Sequence, residues 1–112
     1  MAKSAETWEG RRALTDNPNT GQETALGAAR TLMSLDSLSE AAIFFALAGA
    51  QDGLREVMNR AVEEGNFFVF QQAATRLGEK GERAQLRSLI DAAERNGRGL
   101  YAAKAAEYLE NL

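Results

Sequence analysis

The sequence predicts an all-α protein of about five to six helices, stacked as antiparallel helical hairpins into a compact, α-solenoid-like array. Apolar residues recur at helical spacing in six successive segments, and most of these segments have recognisable caps. No segment alternates apolar and polar residues as a half-buried strand does. The second half of the chain also matches itself at a fixed offset, and 112 residues with 45% hydrophobic content suit one ordinary globular domain.

The N-terminal segment, residues 1–20, is predicted to stand apart from this domain. Residues 5–14 have the pattern of a short helix or flexible arm that carries Trp8, and a turn-rich linker follows around the single proline, Pro18. Thr20 and Glu23 have the spacing of a capping box, which predicts a first core helix over residues 21–34. The helical domain is therefore predicted to span residues 21–112.

The next two helices are predicted from caps and from their apolar pattern. Ser37 and Glu40 have the spacing of a second capping box, and the segment from there to Gly49 is apolar on all sides. Such a helix is expected in the middle of a bundle. Asp52 is predicted to cap a helix over residues 53–64, and Gly65 to end it in a left-handed conformation.

Three further helices complete the predicted domain. Asn66 is expected to cap a helix over residues 67–77, which ends at Gly78, and residues 79–81 form a loop. Helices over residues 82–96 and 99–109 follow, on either side of Gly97. Their inward residues are predicted to be Phe70, Ala73, Ala74 and Leu77, then Leu86, Leu89, Ile90 and Ala93, then Ala102, Ala105, Ala106 and Leu109.

An internal repeat links these helices. A single fixed offset along the chain, which we call the repeat offset, places Leu54 on Leu86, Val57 on Leu89, Ala61 on Ala93, Gly65 on Gly97, Phe68 on Leu100 and Ala73 on Ala105. The predicted units cover residues 34–65 and 66–97, with a partial unit over 98–112. A period of this length is typical of stacked helical hairpins, in which each unit buries the face of its neighbour.

Small and apolar residues recur at the helix junctions, at Ala61, Gly65-Asn66, Phe70, Leu77-Gly78, Leu89-Ile90, Gly97-Arg98, Ala102 and Tyr108-Leu109. In this pattern the chain, over about residues 44–109, resembles the α-solenoid segments of tetratricopeptide-like and coatomer-type vesicle-coat subunits. It departs from the tetratricopeptide pattern because no Trp begins a unit and no Pro ends one. The resemblance implies a scaffold that binds other proteins.

Composition excludes several kinds of site. The chain has no Cys and no His, which excludes disulfides, the usual structural zinc sites and catalysis by Cys or His, and no cofactor is predicted. A net charge of −3 disfavours non-specific binding to nucleic acid. The longest uncharged run, residues 41–51, is too short to span a bilayer. Residues 1–10 lack the apolar run of a signal peptide, so a cytoplasmic location is expected.

The predicted function is non-enzymatic: an adaptor, inhibitor or assembly subunit that binds another protein, or a second copy, through a helical groove or the exposed last helix. The candidate partner-binding residues are Trp8, Phe68, Arg98, Tyr101, Lys104 and Tyr108. Tyr101, Lys104 and Tyr108 share the last helix, which no further unit follows to cover it. Phe68 points away from the inward stripe, so it is either exposed or packed in a second layer, and the matching displacement of Leu100 favours packing.

Two other functions are also compatible with the sequence. A subunit of a nucleoprotein complex would use exposed arginines against phosphate, namely Arg55, Arg60, Arg87, Arg95 and Arg98. These arginines are interspersed with Asp and Glu, which weakens the hypothesis. An enzyme would depend on carboxylates, Tyr and Arg alone.

Overall fold

The computed structural model describes residues 18–112, with side chains from residue 21 onward. Within that range all regular secondary structure is helical, which confirms the all-α prediction. The helices are α1 (Pro18–Ser34), α2 (Leu38–Leu47), α3 (Gln51–Glu64), α4 (Phe67–Leu77), α5 (Arg83–Arg95) and α6 (Gly99–Glu110). Trp8 and the predicted N-terminal arm lie outside the described residues.

The helices pack as three hairpins in series: α1 with α2, α3 with α4, and α5 with α6. Between hairpins, α2 contacts α3 and α4, α3 contacts α5, and α4 contacts α6. The array therefore has two layers, with α2, α4 and α6 on one side and α3 and α5 on the other, and α1 lies beside α3, where Arg30 pairs with Glu56. The predicted repeat units do not coincide with these hairpins. The unit 66–97, for example, groups α4 with α5, and these two helices scarcely touch.

The turns that end α3 and α5 have the same geometry. After α3 the chain turns at Gly65 with φ of 69°, and after α5 it turns at Gly97 with φ of 70°. The amide of Asn66 donates to the carbonyl of Ala61 at 2.9 Å, and the amide of Arg98 donates to that of Ala93 at 2.8 Å. These matched turns agree with the repeat offset, and the repeat itself stays a prediction.

The start of α1 differs from the prediction. The helix begins at Pro18, inside the predicted linker, and not at residue 21. Proline is well suited to a first turn, because its fixed φ is already helical and its missing N–H has no partner to lose there. Thr20 therefore lies within the helix and is not its N-cap, so the predicted capping box with Glu23 is wrong.

The other caps were predicted with mixed success. Asn66 caps α4 as predicted, because its Oδ1 accepts a hydrogen bond from the amide of Val69 at 3.2 Å. Ser37 precedes α2, but its side chain makes no cap bond. Asp52 lies inside α3, which begins at Gln51 after Ala50, so the prediction that Asp52 caps this helix is wrong.

Helix α2 is not buried on all sides. Ala41, Ala42 and Phe45 lie in the core, whereas Ile43 and Leu47 are exposed, Leu47 to 66%. The prediction of a fully buried central helix is wrong because the helices α1, α3 and α4 cover only part of its circumference. A helix that is apolar on every side is buried only on the sides where other helices pack against it.

Glu64 lies where three segments meet: the end of α3, the loop before α2 and the loop before α6. Partial burial and a hydrogen bond with Asp36 raise the pKa of Glu64 above its ordinary value of 4.5, against the opposing charges of Arg60 and Arg98. The folded protein therefore binds this proton more tightly than the unfolded chain does. Its contribution to stability is present below pH 4.5 and is lost as pH rises through the raised pKa.

We expect Glu64→Gln to raise the free energy of unfolding near neutral pH, because the neutral amide avoids the cost of placing a carboxylate there. The gain over the parent chain should shrink as pH falls through the raised pKa of Glu64 and should be gone below 4.5, where the carboxyl is protonated in both the folded and the unfolded chain. Urea denaturation across this range measures it. Glu63→Gln, which removes the same charge from an exposed neighbour, is the control. A gain that does not change with pH would contradict the assignment.

Candidate docking surface on α2, α4 and α6

Four of the five exposed large apolar side chains of residues 21–112 belong to the helices of one layer of the array. They are Ile43 and Leu47 on α2, Phe68 on α4 and Leu100 on α6, while the fifth, Leu35, lies in the loop between α1 and α2. Helices α1, α3 and α5 carry no such residue within the described side chains. Scattered single apolar residues are normal on a protein surface, so the restriction of these four to one layer makes the helices α2, α4 and α6 the first place to look for a contact surface.

Phe68 is the centre of this side. Its side chain is 70% exposed, so the packed second-layer position that the displacement of Leu100 favoured is wrong. Its ring stands edge-on to that of Tyr101, with centroids 6.2 Å apart and planes at 89°. Leu100, its counterpart at the repeat offset, is 72% exposed. The pair thus forms an open apolar edge between α4 and α6.

A hollow of 160 Å³ lies between these two helices. We call it the α4–α6 hollow, and its lining residues are Phe67, Phe68, Gln71, Leu100, Tyr101 and Lys104. An apolar space of about 150 Å³ holds a benzene-sized group. The hollow therefore has room for one aromatic ring or one branched aliphatic side chain.

A wider, open depression adjoins it on the side of α2. This α2–α4 depression is lined by Ser39, Phe68, Gln71, Gln72, Thr75 and Arg76. Ser39 joins the two helices, because its Oγ donates to Oε1 of Gln72 at 2.8 Å and its carbonyl accepts from Nε2 of Gln72 at 3.1 Å. Phe68 and Gln71 line both spaces, so we name the continuous region the Phe68 surface.

Three of the predicted site residues lie at or beside this surface, on α6 and the loop before it. Tyr101 and Lys104 line the α4–α6 hollow. The guanidinium carbon of Arg98 lies 5.7 Å from the centroid of the Tyr101 ring, within the range of a cation–π contact. The structure thus brings Arg98, Tyr101, Lys104 and Phe68 together.

Tyr108 does not belong to the same open face. Its ring packs edge-on against Phe67 with centroids 5.5 Å apart, and its hydroxyl donates to the carbonyl of Lys80 at 2.8 Å. The expectation that Tyr108 lies on an uncovered terminal face is therefore wrong, whereas Tyr101 borders the open α4–α6 hollow. Tyr108 secures α6 to α4 and to the loop that follows α4.

The charges differ between the two layers. Three arginines on α1 and α3 are engaged in ion pairs, Arg30 with Glu56 at 2.9 Å, Arg55 with Glu79 at 2.6 Å and Arg60 with Asp36 at 3.2 Å. Arg76 and Lys104, on the Phe68 surface, have no ion-pair partner in the described part of the chain. Arg55 and Arg60 are thus already neutralised, which leaves less positive charge for the predicted contact with phosphate.

Sequence reasoning identified Phe68 but missed its polar neighbours on α4. Gln72 and Arg76 follow Phe68 at intervals of one helical turn each, so a helical projection places all three on one side. The sequence alone could therefore have shown that these residues share one side of α4. It could not have shown that Gln71 lies between two hollows, because that position depends on where α2 and α6 pack.

Among residues 21–112, no group of three or more acidic side chains is placed to hold a metal ion. No helix in the described part of the chain combines the length and apolar character needed to cross a membrane. Comparison with protein families, with curated proteins and with solved structures finds no match for this chain. The resemblance to α-solenoid segments stays a prediction.

Proposed function

We propose that this protein is a non-enzymatic interaction module, acting as an adaptor, inhibitor or assembly subunit, which binds a partner protein through the Phe68 surface. The observation that carries the proposal is the concentration of exposed apolar side chains on the layer of α2, α4 and α6. Aromatic residues beside a hollow are frequent anchors of protein interfaces. The lack of Cys and His in the sequence also supports a role without catalysis.

The core explains why this surface can serve as a rigid platform. Phe45, Phe70, Leu86 and Leu89 are fully buried within and between the hairpins, so the backbone of α4 and α6 rests on packed side chains. A surface held in this way loses little conformational entropy when a partner binds. No observation favours nucleic acid as the ligand, since two of the five arginines assigned to it are ion-paired.

Site-specific photo-crosslinking tests the proposal. With a photo-crosslinking amino acid in place of Phe68, we expect an adduct with a partner protein in lysate of the native organism. The same amino acid in place of Arg87, which is exposed on α5, should give no adduct of that mass. An excess of unlabelled parent chain should compete the adduct away, whereas an excess of the Phe68→Asp, Leu100→Asp variant should not.

Equal adducts at positions 68 and 87 would refute a specific surface. Equal competition by the parent chain and by the double variant would refute the role of Phe68 and Leu100. Circular dichroism of each variant establishes that the helices are retained, so that a loss of competition reports on the surface.

A further inference from the structure

The charged residues of the Phe68 surface all have the same sign. Arg76 is the charged residue that lines the α2–α4 depression, and Lys104 is the one that lines the α4–α6 hollow. Neither has an ion-pair partner within residues 21–112. The chain as a whole has a net charge of −3, so this surface is locally opposite in sign to the rest of the protein. A partner segment with carboxylates is electrostatically complementary to it.

The apolar part of the surface accepts a single large side chain. The α4–α6 hollow measures 160 Å³, and four of its six lining residues are aromatic or aliphatic: Phe67, Phe68, Leu100 and Tyr101. Lys104 lines the hollow itself, and Arg76 lines the adjoining depression, two helical turns from Phe68 along α4. A side chain in the hollow therefore has cations of both α4 and α6 in its neighbourhood, which favours acidic residues close to it in the partner.

Gln71 can hold the backbone of such a segment. It lies between the two spaces, is exposed, and has no hydrogen-bond partner in the described part of the chain. A primary amide offers donors and an acceptor together, which suits the N–H and C=O groups of an extended peptide. The nearby Gln72 is already bonded to Ser39.

The charge changes sign beyond Ser39. A neighbouring hollow on that side is lined by Asp36, Glu40 and Glu64, together with Ser37, Leu38, Ser39, Asn66 and Val69. Asp36 is paired with Arg60, so the negative charge there comes from Glu40 and Glu64. An acidic segment is repelled there, so it is confined to the region over α4 and α6. A second copy of this chain fits less well, because a two-fold symmetric contact would bring the positively charged Phe68 surface of one copy onto the same positively charged surface of the other.

We infer that the Phe68 surface binds an acidic segment of a partner protein, with one bulky apolar side chain in the α4–α6 hollow and carboxylates beside Arg76 and Lys104. The inference rests on the proposed function and specifies the chemistry of the partner. It predicts a short linear epitope, because the hollow and both cations lie within the span of two neighbouring helices.

Fluorescence polarisation with synthetic peptides tests it on the full chain. The probe is a labelled peptide of about ten Asp and Glu residues with one central Phe, long enough in extended form to cross the roughly 10 Å between helix axes. Matched peptides replace the acidic residues with Asn and Gln, replace them with Lys, or replace the Phe with Ala. We expect the acidic Phe peptide to bind about tenfold or more tightly than each of these, with affinity falling as salt rises.

Charge reversal supplies the matched protein variants. Arg76→Glu with Lys104→Glu should weaken binding of the acidic peptide about tenfold or more and improve binding of the Lys peptide. Arg87→Glu with Arg95→Glu makes the same change in net charge on α5, outside both spaces, and should leave the peptide affinities within about twofold of the parent. Both pairs are exposed, so both variants should keep their helical circular dichroism.

The outcomes separate this inference from the proposed function. If position 68 crosslinks to a partner but the acidic peptide binds no better than its Asn and Gln version, the acidic epitope is refuted and the interaction module stands. A position 68 adduct with a second copy, or with residues 1–17 of the same chain, would refute an external acidic partner. If no adduct forms and no peptide binds, both proposals fail.

Discussion

Replacing Gly65 with alanine is expected to lower the free energy of unfolding by roughly 2–5 kcal/mol, a large share of the stability of a small domain. Two costs contribute. Gly65 has φ of 69°, and a left-handed conformation costs an L-residue about 1–2 kcal/mol. A Cβ at this position would also overlap the backbone of Ala92 and Ala93 on α5, and forcing atoms into a packed contact costs about 1–3 kcal/mol.

Gly97→Ala is the matched control for this change. Gly97 has φ of 70° at the corresponding turn, but a Cβ there would meet no atom within 4 Å. We therefore expect Gly97→Ala to cost only the conformational part, about 1–2 kcal/mol. Urea denaturation of the two variants measures the difference. Equal losses would show that close approach of the turn to α5 contributes nothing to stability.

The comparison of these glycines also shows which parts of the fold can be predicted from sequence. The ends of α3, α4 and α5 were predictable because glycine is favoured in the left-handed conformation that ends a helix, which Gly65, Gly78 and Gly97 adopt. The inward positions of Phe70 and Ala73 were predictable because the period of a helix relates them to their neighbours. Both signals act over a short stretch of the chain.

Features that depend on distant segments were not predictable. Helix α2 is apolar on all sides, yet Ile43 and Leu47 are exposed because no helix packs against them. Tyr108 has the spacing to share an open face with Tyr101, yet it contacts Phe67 and Lys80 on another helix and loop. In each case the pattern establishes which side a residue faces, and the packing of other helices decides what it meets there.

The Phe68 surface likewise combines features that nearby residues determine with features that depend on distant segments. The phase of α4 predicted that Phe68 points away from the core stripe, and the repeat offset related it to Leu100. The hollow between them could not be foreseen, because its dimensions depend on the distance between α4 and α6. The contrast between unpaired Arg76 and ion-paired Arg55 likewise required the tertiary structure, since the partner of Arg55 is Glu79 in another segment.

The roles of Phe68 and Phe70, two of the three phenylalanines on α4, should therefore separate in one experiment. Phe70 is fully buried, and its ring packs so closely on Gly81 that a Cβ there would overlap it. We expect Phe70→Ala to cost about 3–5 kcal/mol through lost burial and the cavity that remains. Phe68→Ala removes an exposed ring whose one aromatic contact is with Tyr101, so we expect a loss of at most about 1.5 kcal/mol.

Binding should follow the opposite order. Phe68→Ala should retain a cooperative urea transition near that of the parent while losing most of its affinity for the acidic Phe peptide, because Phe68 lines both spaces of the surface. Phe70→Ala, measured without urea at a temperature where its helices are intact, should keep most of that affinity, since its side chain does not reach the surface. If Phe68→Ala destabilised the chain as much as Phe70→Ala, Phe68 would be a core residue and the docking surface would lose its central contact.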